Sequence, residues 1–315
     1  MKNTYVAVDV GGTQIRVAVY PEEGIQALRS IKTTTVGEGS VMNRIKHTIR
    51  AIWDDSENVK AIALCVPGPV DPKTGIAFGV ANIPEWHYNV PVLDMMKEDF
   101  ETPIFVGNDA NLAGLAEWKY GAGRGHDNML YFTISTGVGG GIISDGKLIV
   151  GHNGLGGELG HVFLMVEGEN LPPCGCGQKG HLESYASGTG IAWYVNQQLE
   201  SGRKSSLDGK GKVTAKEIAA AAKEGDELGL EAFTRAGTYL AYGIANYLHI
   251  FSPTMIVFGG GVSSAGDILF GPMEKLLPTL VYAPAYFDNL QIAMAELGDD
   301  AGLLGCLALA RISVE

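Results

Sequence analysis

The densest set of chemically capable residues lies between Gly156 and Gly188. It holds Glu158, His161, Cys174-Gly175-Cys176, His181 and Glu183. His161, Cys174, Cys176 and His181 make a two-Cys, two-His set, the donor complement of a tetrahedral zinc site. The C-x-C spacing departs from the usual finger pattern, and Pro172-Pro173 stiffen the loop that leads into it. Cysteines one residue apart are poorly placed for a disulfide, so Cys174 and Cys176 read as ligands. Glu158 and Glu183 flank the set and are left to accept hydrogen bonds from a polyhydroxyl ligand. Cys65 and Cys306 stand alone in apolar runs and read as buried free thiols.

Two glycine-rich turns come next. Gly11-Gly12-Thr13 and Thr136-Gly137-Val138-Gly139-Gly140 each bring backbone N–H groups close to an anion and add a Thr hydroxyl. Adjacent glycines suggest positive φ angles in the first turn. Neither turn ends in Gly-Lys-Ser/Thr, so neither is a Walker A loop. Gly137-Val138-Gly139 runs into a returning strand, whereas a dinucleotide fingerprint enters a helix. Asp9 stands two residues before the first turn, where an acid can hold Mg²⁺ near a triphosphate. Asn108-Asp109-Ala110-Asn111 opens a helix, and a helix N-terminus keeps a carboxylate ionised. Such a carboxylate suits phosphoryl transfer: in a loose transition state the hydroxyl proton leaves late, and the acid mainly orients the nucleophile.

These residues need elements to hold them. Tyr5–Val10 and Ile15–Tyr20 read as strands around the first turn, with a third strand from near Ile25. Val41–Trp53 has helical spacing, Ile62–Val66 and Ile104–Val106 read as strands, and Asn108–Tyr120 as a helix. Leu130–Ile134, the second Gly turn and Gly141–Ile143 then repeat the opening pattern of strand, Gly turn with Thr, strand. Two similar domains follow, each opening on a hairpin whose turn meets the same ligand. Further on, Thr214 with Glu217 predicts a capping box, Glu231–Phe251 a long helix, Met255–Phe258 a strand ending in Gly259-Gly260-Gly261, and Leu303–Ile312 a last helix. Gly121, Gly123 and Gly125 mark a boundary and a hinge. The division expected is a small α/β domain of residues 1–118 plus 298–315 and a large one of 119–297 carrying the zinc loop.

With 315 residues, 46% hydrophobic and 18% charged, the chain is long and apolar enough for such a two-domain core. A net charge of −12 disfavours a broad grip on nucleic acid, while backbone N–H groups still bind phosphates. The most apolar stretch, Ala236–Val262, is broken by Asn246, His249 and Pro253 and reads as a buried helix and strand. No signal-peptide pattern precedes the first strand, so a cytoplasmic protein is expected.

The motifs Asp9-Val10-Gly11-Gly12-Thr13, Gly107-Asn108-Asp109-Ala110-Asn111, Thr136-Gly137-Val138-Gly139-Gly140-Gly141, Gly157-Glu158-Leu159-Gly160-His161 and Cys174-Gly175-Cys176-Gly177 together resemble the ROK family, over essentially the whole chain. These are bacterial sugar kinases and related repressors of the actin-like ATPase superfamily. The resemblance implies two actin-like (ribonuclease H-like) α/β domains around a cleft, with ATP on one side and a hexose on the other. It implies Asp109 as base on the sugar hydroxyl. Asn82, Asn108, Asp109, Glu158, His161 and Glu183 match sugar-contacting positions. Asp9, Gly11, Gly12, Thr13, Thr136, Gly137, Gly139, Gly260 and Gly261 fall on the nucleotide side, with Mg²⁺ accompanying ATP. A structural Zn²⁺ would sit on His161, Cys174, Cys176 and His181, with the other ring nitrogen of His161 toward the sugar. A homodimer is the family's default.

Two positions depart from the pattern. His181 stands where the family usually has a third Cys, and Gln14 stands where many members carry Lys. The activity expected is glucose phosphorylation. Fructose, mannose or an N-acetylhexosamine are alternative acceptors, and polyphosphate an alternative donor. A sugar-responsive repressor is the remote alternative, opposed by the acidic charge and by a first strand that begins by Tyr5, with no helix-turn-helix segment ahead of it.

Overall fold

The computed structural model describes residues 1–80, 82–165 and 171–314. The elements run β1 (Lys2–Val10), β2 (Gln14–Pro21), β3 (Arg29–Thr34), α1 (Val41–Ala51), β4 (Glu57–Val66), the short β5 (Val70–Asp71), β6 (Ile76–Ala77) and β7 (Val90–Pro91), α2 (Val92–Lys97), β8 (Ile104–Asn108) and α3 (Asp109–Tyr120). They continue with β9 (Met129–Ile134), β10 (Val138–Ser144), β11 (Lys147–Leu148), α4 (Leu182–Ala186), α5 (Gly188–Glu200), α6 (Ala215–Lys223), α7 (Glu227–Phe251), β12 (Met255–Gly259), α8 (Asp267–Leu276), β13 (Gln291–Met294) and α9 (Ala301–Val314).

The chain forms two units. The first comprises Met1–His126, Gly141–Gly157 and Ala295–Glu315, the second Asp127–Gly140 and Glu158–Met294. Residues 141–157 join the first unit although the sequence placed them in the large domain. Gly141 in this segment lies against α3: a Cβ there would be in ordinary contact, at 3.4 Å, with the Ala110 carbonyl and the Gly114 Cα.

In the first unit the sheet order is β3-β2-β1-β4-β8. β1 pairs antiparallel with β2 and parallel with β4, and β4 pairs parallel with β8. Central strands covered on both faces are apolar throughout, and Ala61–Val66 is buried without interruption. Val8, Val17 and Leu64 meet Val41, Ile45 and Ile49 of α1 in one core. Helices α3 and α9 pack together, and α9 lies against β1 and β4. Ser40 caps α1 by accepting the Asn43 N–H at 3.2 Å. The third strand starts at Arg29, four residues later than expected.

The second unit repeats the scheme. β9 leads into the second Gly turn, β12 pairs parallel with β9, and β13 parallel with β12. The capping box forms as expected, with Thr214 and Glu217 satisfying each other's N–H groups. α7 begins at Glu227, before the expected start, because Asp226 caps it by accepting the Gly229 N–H at 2.8 Å. Among the described residues no helix is long and apolar enough to cross a membrane.

Candidate active site

In the first unit, parallel pairing aligns the carboxyl ends of β1, β4 and β8. Asp9 stands beside Cys65, and Val66 beside Asn108. Asp9 and the Asn108-Asp109 pair therefore share one edge of the sheet, two strand spacings or about 10 Å apart. Open α/β sheets bind ligands at this edge. Cys65, between them, has its thiol pushed well above the usual range by its hydrogen bond with Cys306, by burial and by the charges of Asp9 and Asp109.

Asp109 opens α3. Its Oδ1 accepts its neighbour's main-chain N–H, from Ala110, at 2.8 Å and the Nδ2 of Asn108 at 3.0 Å. Asn108 is held from two further sides: Oδ1 caps α3 by accepting the Asn111 N–H at 3.0 Å, and Nδ2 also donates to the Gly68 carbonyl at 2.9 Å. Asn108, expected to touch the ligand, also orients Asp109. Asp9 pairs with Arg16 at 2.6 Å and faces Gly302 at the start of α9, where a Cβ would come within 2.8 Å of the carboxylate.

The first Gly turn needs correction. Neither Gly11 nor Gly12 has positive φ. What both need is room: a Cβ on Gly11 would lie 3.2 Å from the Gln14 carbonyl, and one on Gly12 would lie 3.0 Å from the Cβ of Asn82. The turn closes by Gly11 N–H donating to Gln14 at 2.8 Å. Buried Thr35 braces it, donating its hydroxyl to the Gly11 carbonyl at 2.6 Å and its N–H to the Thr13 carbonyl at 3.0 Å. The structure thereby brings Asn82 and Thr13 to the same turn.

In the second unit His161, Cys174, Cys176 and His181 converge, with all four donor atoms within 4.8 Å of one another. The Nδ1 atoms of the histidines are 3.3 Å apart, Cys174 Sγ is 3.5 Å from His161 Nδ1, and Cys176 Sγ is 3.4 Å from both Cys174 Sγ and His181 Nδ1. A tetrahedron built on Zn–S of ~2.3 Å and Zn–N of ~2.0–2.1 Å has edges of about 3.3–3.8 Å, so the donor set fits zinc. His181 is buried at the head of α4 and its pKa is lowered, first by burial and then by His161, which keeps its imidazole neutral as a ligand must be. Burial pushes the Cys174 thiol up to about 12, with Glu183 adding to the effect.

The loop is built for this convergence. Cys174 N–H donates to the Gln178 carbonyl and Gly177 N–H to the Cys174 carbonyl, while Gly177 and Gly180 take φ of +87° and +79°. At Gly180 a Cβ would strike the Met165 carbonyl at 1.9 Å. His161 Nε2 points away from the cluster, 3.8 Å from Glu158 Oε2. Desolvation raises the Glu158 carboxyl above its ordinary value, against the pull of His161. Glu183 reaches the second Gly turn, its Oε2 accepting the Val138 N–H at 2.9 Å.

Next to that turn lies a cavity of about 940 Å³, wholly within the second unit. Thr136, Thr189 and Gly261 edge it, Trp193, Val213 and Ala265 give it apolar walls, and Lys212, Lys216 and Lys223 add positive charge. Gly260 has φ of +86°, and a Cβ there would sit 2.4 Å from the Ile134 carbonyl. The third Gly run thus lets the loop after β12 cross tightly over β9. Sequence reasoning missed the α5 wall of this cavity. Ser187, which caps α5 by accepting the Gly190 N–H at 3.1 Å, was the available signal.

The ROK family profile matches residues 5–312. The chain is 36% identical over 313 residues to a glucokinase of Thermotoga maritima, covering 97% of this chain and 96% of that protein. A xylose repressor of Caldicellulosiruptor bescii is 26% identical, covering 96% of this chain and 77% of the repressor. Among solved structures, a ROK hexokinase from Thermus thermophilus superposes with a TM-score of 0.83 at 30% identity, over 99% of both chains. A ROK glucokinase from Streptomyces griseus in complex with glucose and AMPPNP gives 0.74 at 31% identity, over 98% of this chain and 99% of that one.

Proposed function

The chain belongs to the ROK family, and on that premise we propose that it transfers the γ-phosphoryl group of ATP to a hexose, converting glucose to glucose 6-phosphate. The mixed α/β fold is of the actin-like ATPase type, and the glucokinase and hexokinase likenesses support sugar kinase activity. The observation that carries the finer reading is Asp109: an acid at the ligand-binding edge of a parallel sheet, with Oδ1 fixed by Ala110 and Asn108. A carboxylate held in this way orients the sugar hydroxyl and takes its proton late, as the sugar oxygen bonds to the γ-phosphorus and the bond from that phosphorus to ADP breaks.

Glu158, His161 and Glu183 supply acceptors and a ring nitrogen for sugar hydroxyls, and Asn82 adds an amide. His161, Cys174, Cys176 and His181 would hold zinc, which in that position is structural and fixes ring directions. With Nδ1 committed to that centre, His161 carries its proton on Nε2 and donates from there. On the donor side, the Gly11–Thr13 and Thr136–Gly140 turns bind phosphates through N–H and hydroxyl groups. Asp9 holds Mg²⁺, and the cavity beside Trp193 takes the base.

The test is a panel of hexoses ranked by kcat/KM with ATP, and with polyphosphate as the competing donor. Glucose with ATP should head it. Preference for fructose, mannose or an N-acetylhexosamine would move the acceptor and leave the chemistry. Failure of every sugar, combined with salt-sensitive operator binding, would turn the reading to a repressor.

A further inference from the structure

Glu183 stands between two parts of the second unit that phosphorylation chemistry treats separately. Its Oε2 accepts the Val138 N–H at 2.9 Å, inside the Thr136–Gly140 turn. Its Oε1 accepts the Gly175 N–H at 3.4 Å and the Cys174 thiol at 3.1 Å, inside the C-x-C loop. The carboxylate lies so close over the turn that a Cβ on Gly137 would come within 2.4 Å of Oε2. Glu183 is also in the first turn of α4, two residues after His181, whose own Nδ1 belongs to the cluster.

The Val138 N–H that meets Glu183 is not available to a phosphate, so the carboxylate serves this turn as an anchor. Fixing that N–H fixes the plane of the Gly137–Val138 peptide and with it the direction of the neighbouring groups. The glycines at 137 and 139 have no Cβ to restrict them, and without an anchor they would sample many orientations. We infer that Glu183 is a positioning residue that couples the Cys/His centre to the nucleotide turn. A metal-bound Cys174 is a thiolate with no proton for Oε1, so the Gly175 N–H is the tie that remains in the loaded centre; with it and His181 held, both ends of the Glu183 side chain are held, and the turn is set for phosphate. The metal loop then governs nucleotide affinity as well as the sugar side. This rests on the reading of Thr136–Gly140 as a phosphate-binding turn.

The experiment is calorimetric titration of Mg²⁺·AMPPNP, without sugar, into wild type, Glu183→Ala and Glu183→Gln, with zinc content measured on each. Zinc-loaded Glu183→Ala should bind AMPPNP about tenfold more weakly than loaded wild type, the cost of one lost anchoring hydrogen bond. Glu183→Gln keeps an oxygen for Val138 and should bind nearly as tightly as wild type. Its amide nitrogen cannot accept from Gly175 and can only donate to Cys174, so stripping zinc with a chelator should weaken its binding less than it weakens wild type. Stripping wild type should weaken binding by a factor similar to the alanine substitution, and stripping Glu183→Ala should add nothing. The coupling is overturned if stripping weakens AMPPNP binding equally in wild type and Glu183→Gln, or if loaded Glu183→Ala binds as wild type does. Wild type that binds no AMPPNP at all overturns the phosphate-turn reading, and the coupling with it.

Discussion

Arg16 holds one oxygen of Asp9 with two nitrogens: Nε and a terminal nitrogen donate to Oδ2 at 3.1 and 2.6 Å. The same guanidinium donates to the Asp299 carbonyl and lies 3.7 Å from Asp300. The β1–β2 register makes this possible, because Asp9 and Arg16 are cross-strand partners. Burial works to lower the Arg16 pKa, and the hydrogen bond and charge of Asp9 more than restore it.

Arg16 therefore aims the carboxylate proposed to hold Mg²⁺, and it puts a cation near the proposed phosphate turn. Arg16→Met should raise the KM for Mg²⁺·ATP and the Mg²⁺ concentration for half-maximal rate, each roughly tenfold, the worth of a charged hydrogen bond. The KM for sugar should stay within about twofold of wild type, since a remote site adds independently. Steady-state kinetics with Mg²⁺ and sugar varied separately checks both.

Asp109→Asn keeps the shape of the side chain and an oxygen for the Ala110 N–H. It removes the proton acceptor. We expect kcat to fall by about 10²–10⁴ with sugar affinity nearly intact, measured by a coupled phosphorylation assay and by calorimetry with glucose. Substituting Asn108 should also lower kcat, because its amide sets the direction of Asp109.

Much of this was legible in the sequence, and the reasons for what was not are physical. The hairpins could be read because apolar runs end in glycines, and the Cys/His set because its residue types are rare together. The use made of Gly11 and Gly12 was not legible: close approach to Gln14 and Asn82 is a tertiary fact. α5 was hidden because Gly188-Thr189-Gly190 looks like a helix breaker. A Cβ at Gly190 would meet the Ser184 carbonyl at 2.3 Å, so the glycine permits a tight junction with α4. Thr35, one of three successive threonines, carries no mark that separates the buried brace from its neighbours. The capping role of Asn108, beside its expected ligand contact, appears only once Gly68 and Asn111 are in place.

Cys176 is the exposed member of the cluster, so its replacement disturbs little packing. Cys176→Ser should reduce zinc from about one per chain to well below stoichiometric. The KM for sugar should rise with kcat less affected, because His161 and Glu183 lose their fixed directions while Asp109 does not. Elemental analysis and kinetics on the same preparation test the two halves. Full activity without bound metal would remove zinc from the account of this loop.

Asp226 allows a prediction on stability against pH. Its carboxylate accepts from the Gly229 N–H at 2.8 Å, the Ser206 N–H at 2.7 Å and the Ser205 hydroxyl at 2.9 Å. Desolvation works to raise its pKa, but these bonds outweigh it and bring the value down from 3.8 to about 2. A depressed carboxyl stabilises the fold while ionised, so its contribution is complete above about pH 4 and fades as pH falls through about 2. Asp226→Ala removes the cap of the long helix α7 and should cost about 1 kcal/mol near neutrality. In Asp226→Asn an amide oxygen still accepts the Gly229 N–H, so most of the cap survives without the acid sensitivity. Urea unfolding at pH 7 and at pH 3 should show the gap between wild type and Asp226→Asn narrowing at the lower pH. A gap that widens on acidification would mean that the neutral carboxyl caps α7 better than the charged one.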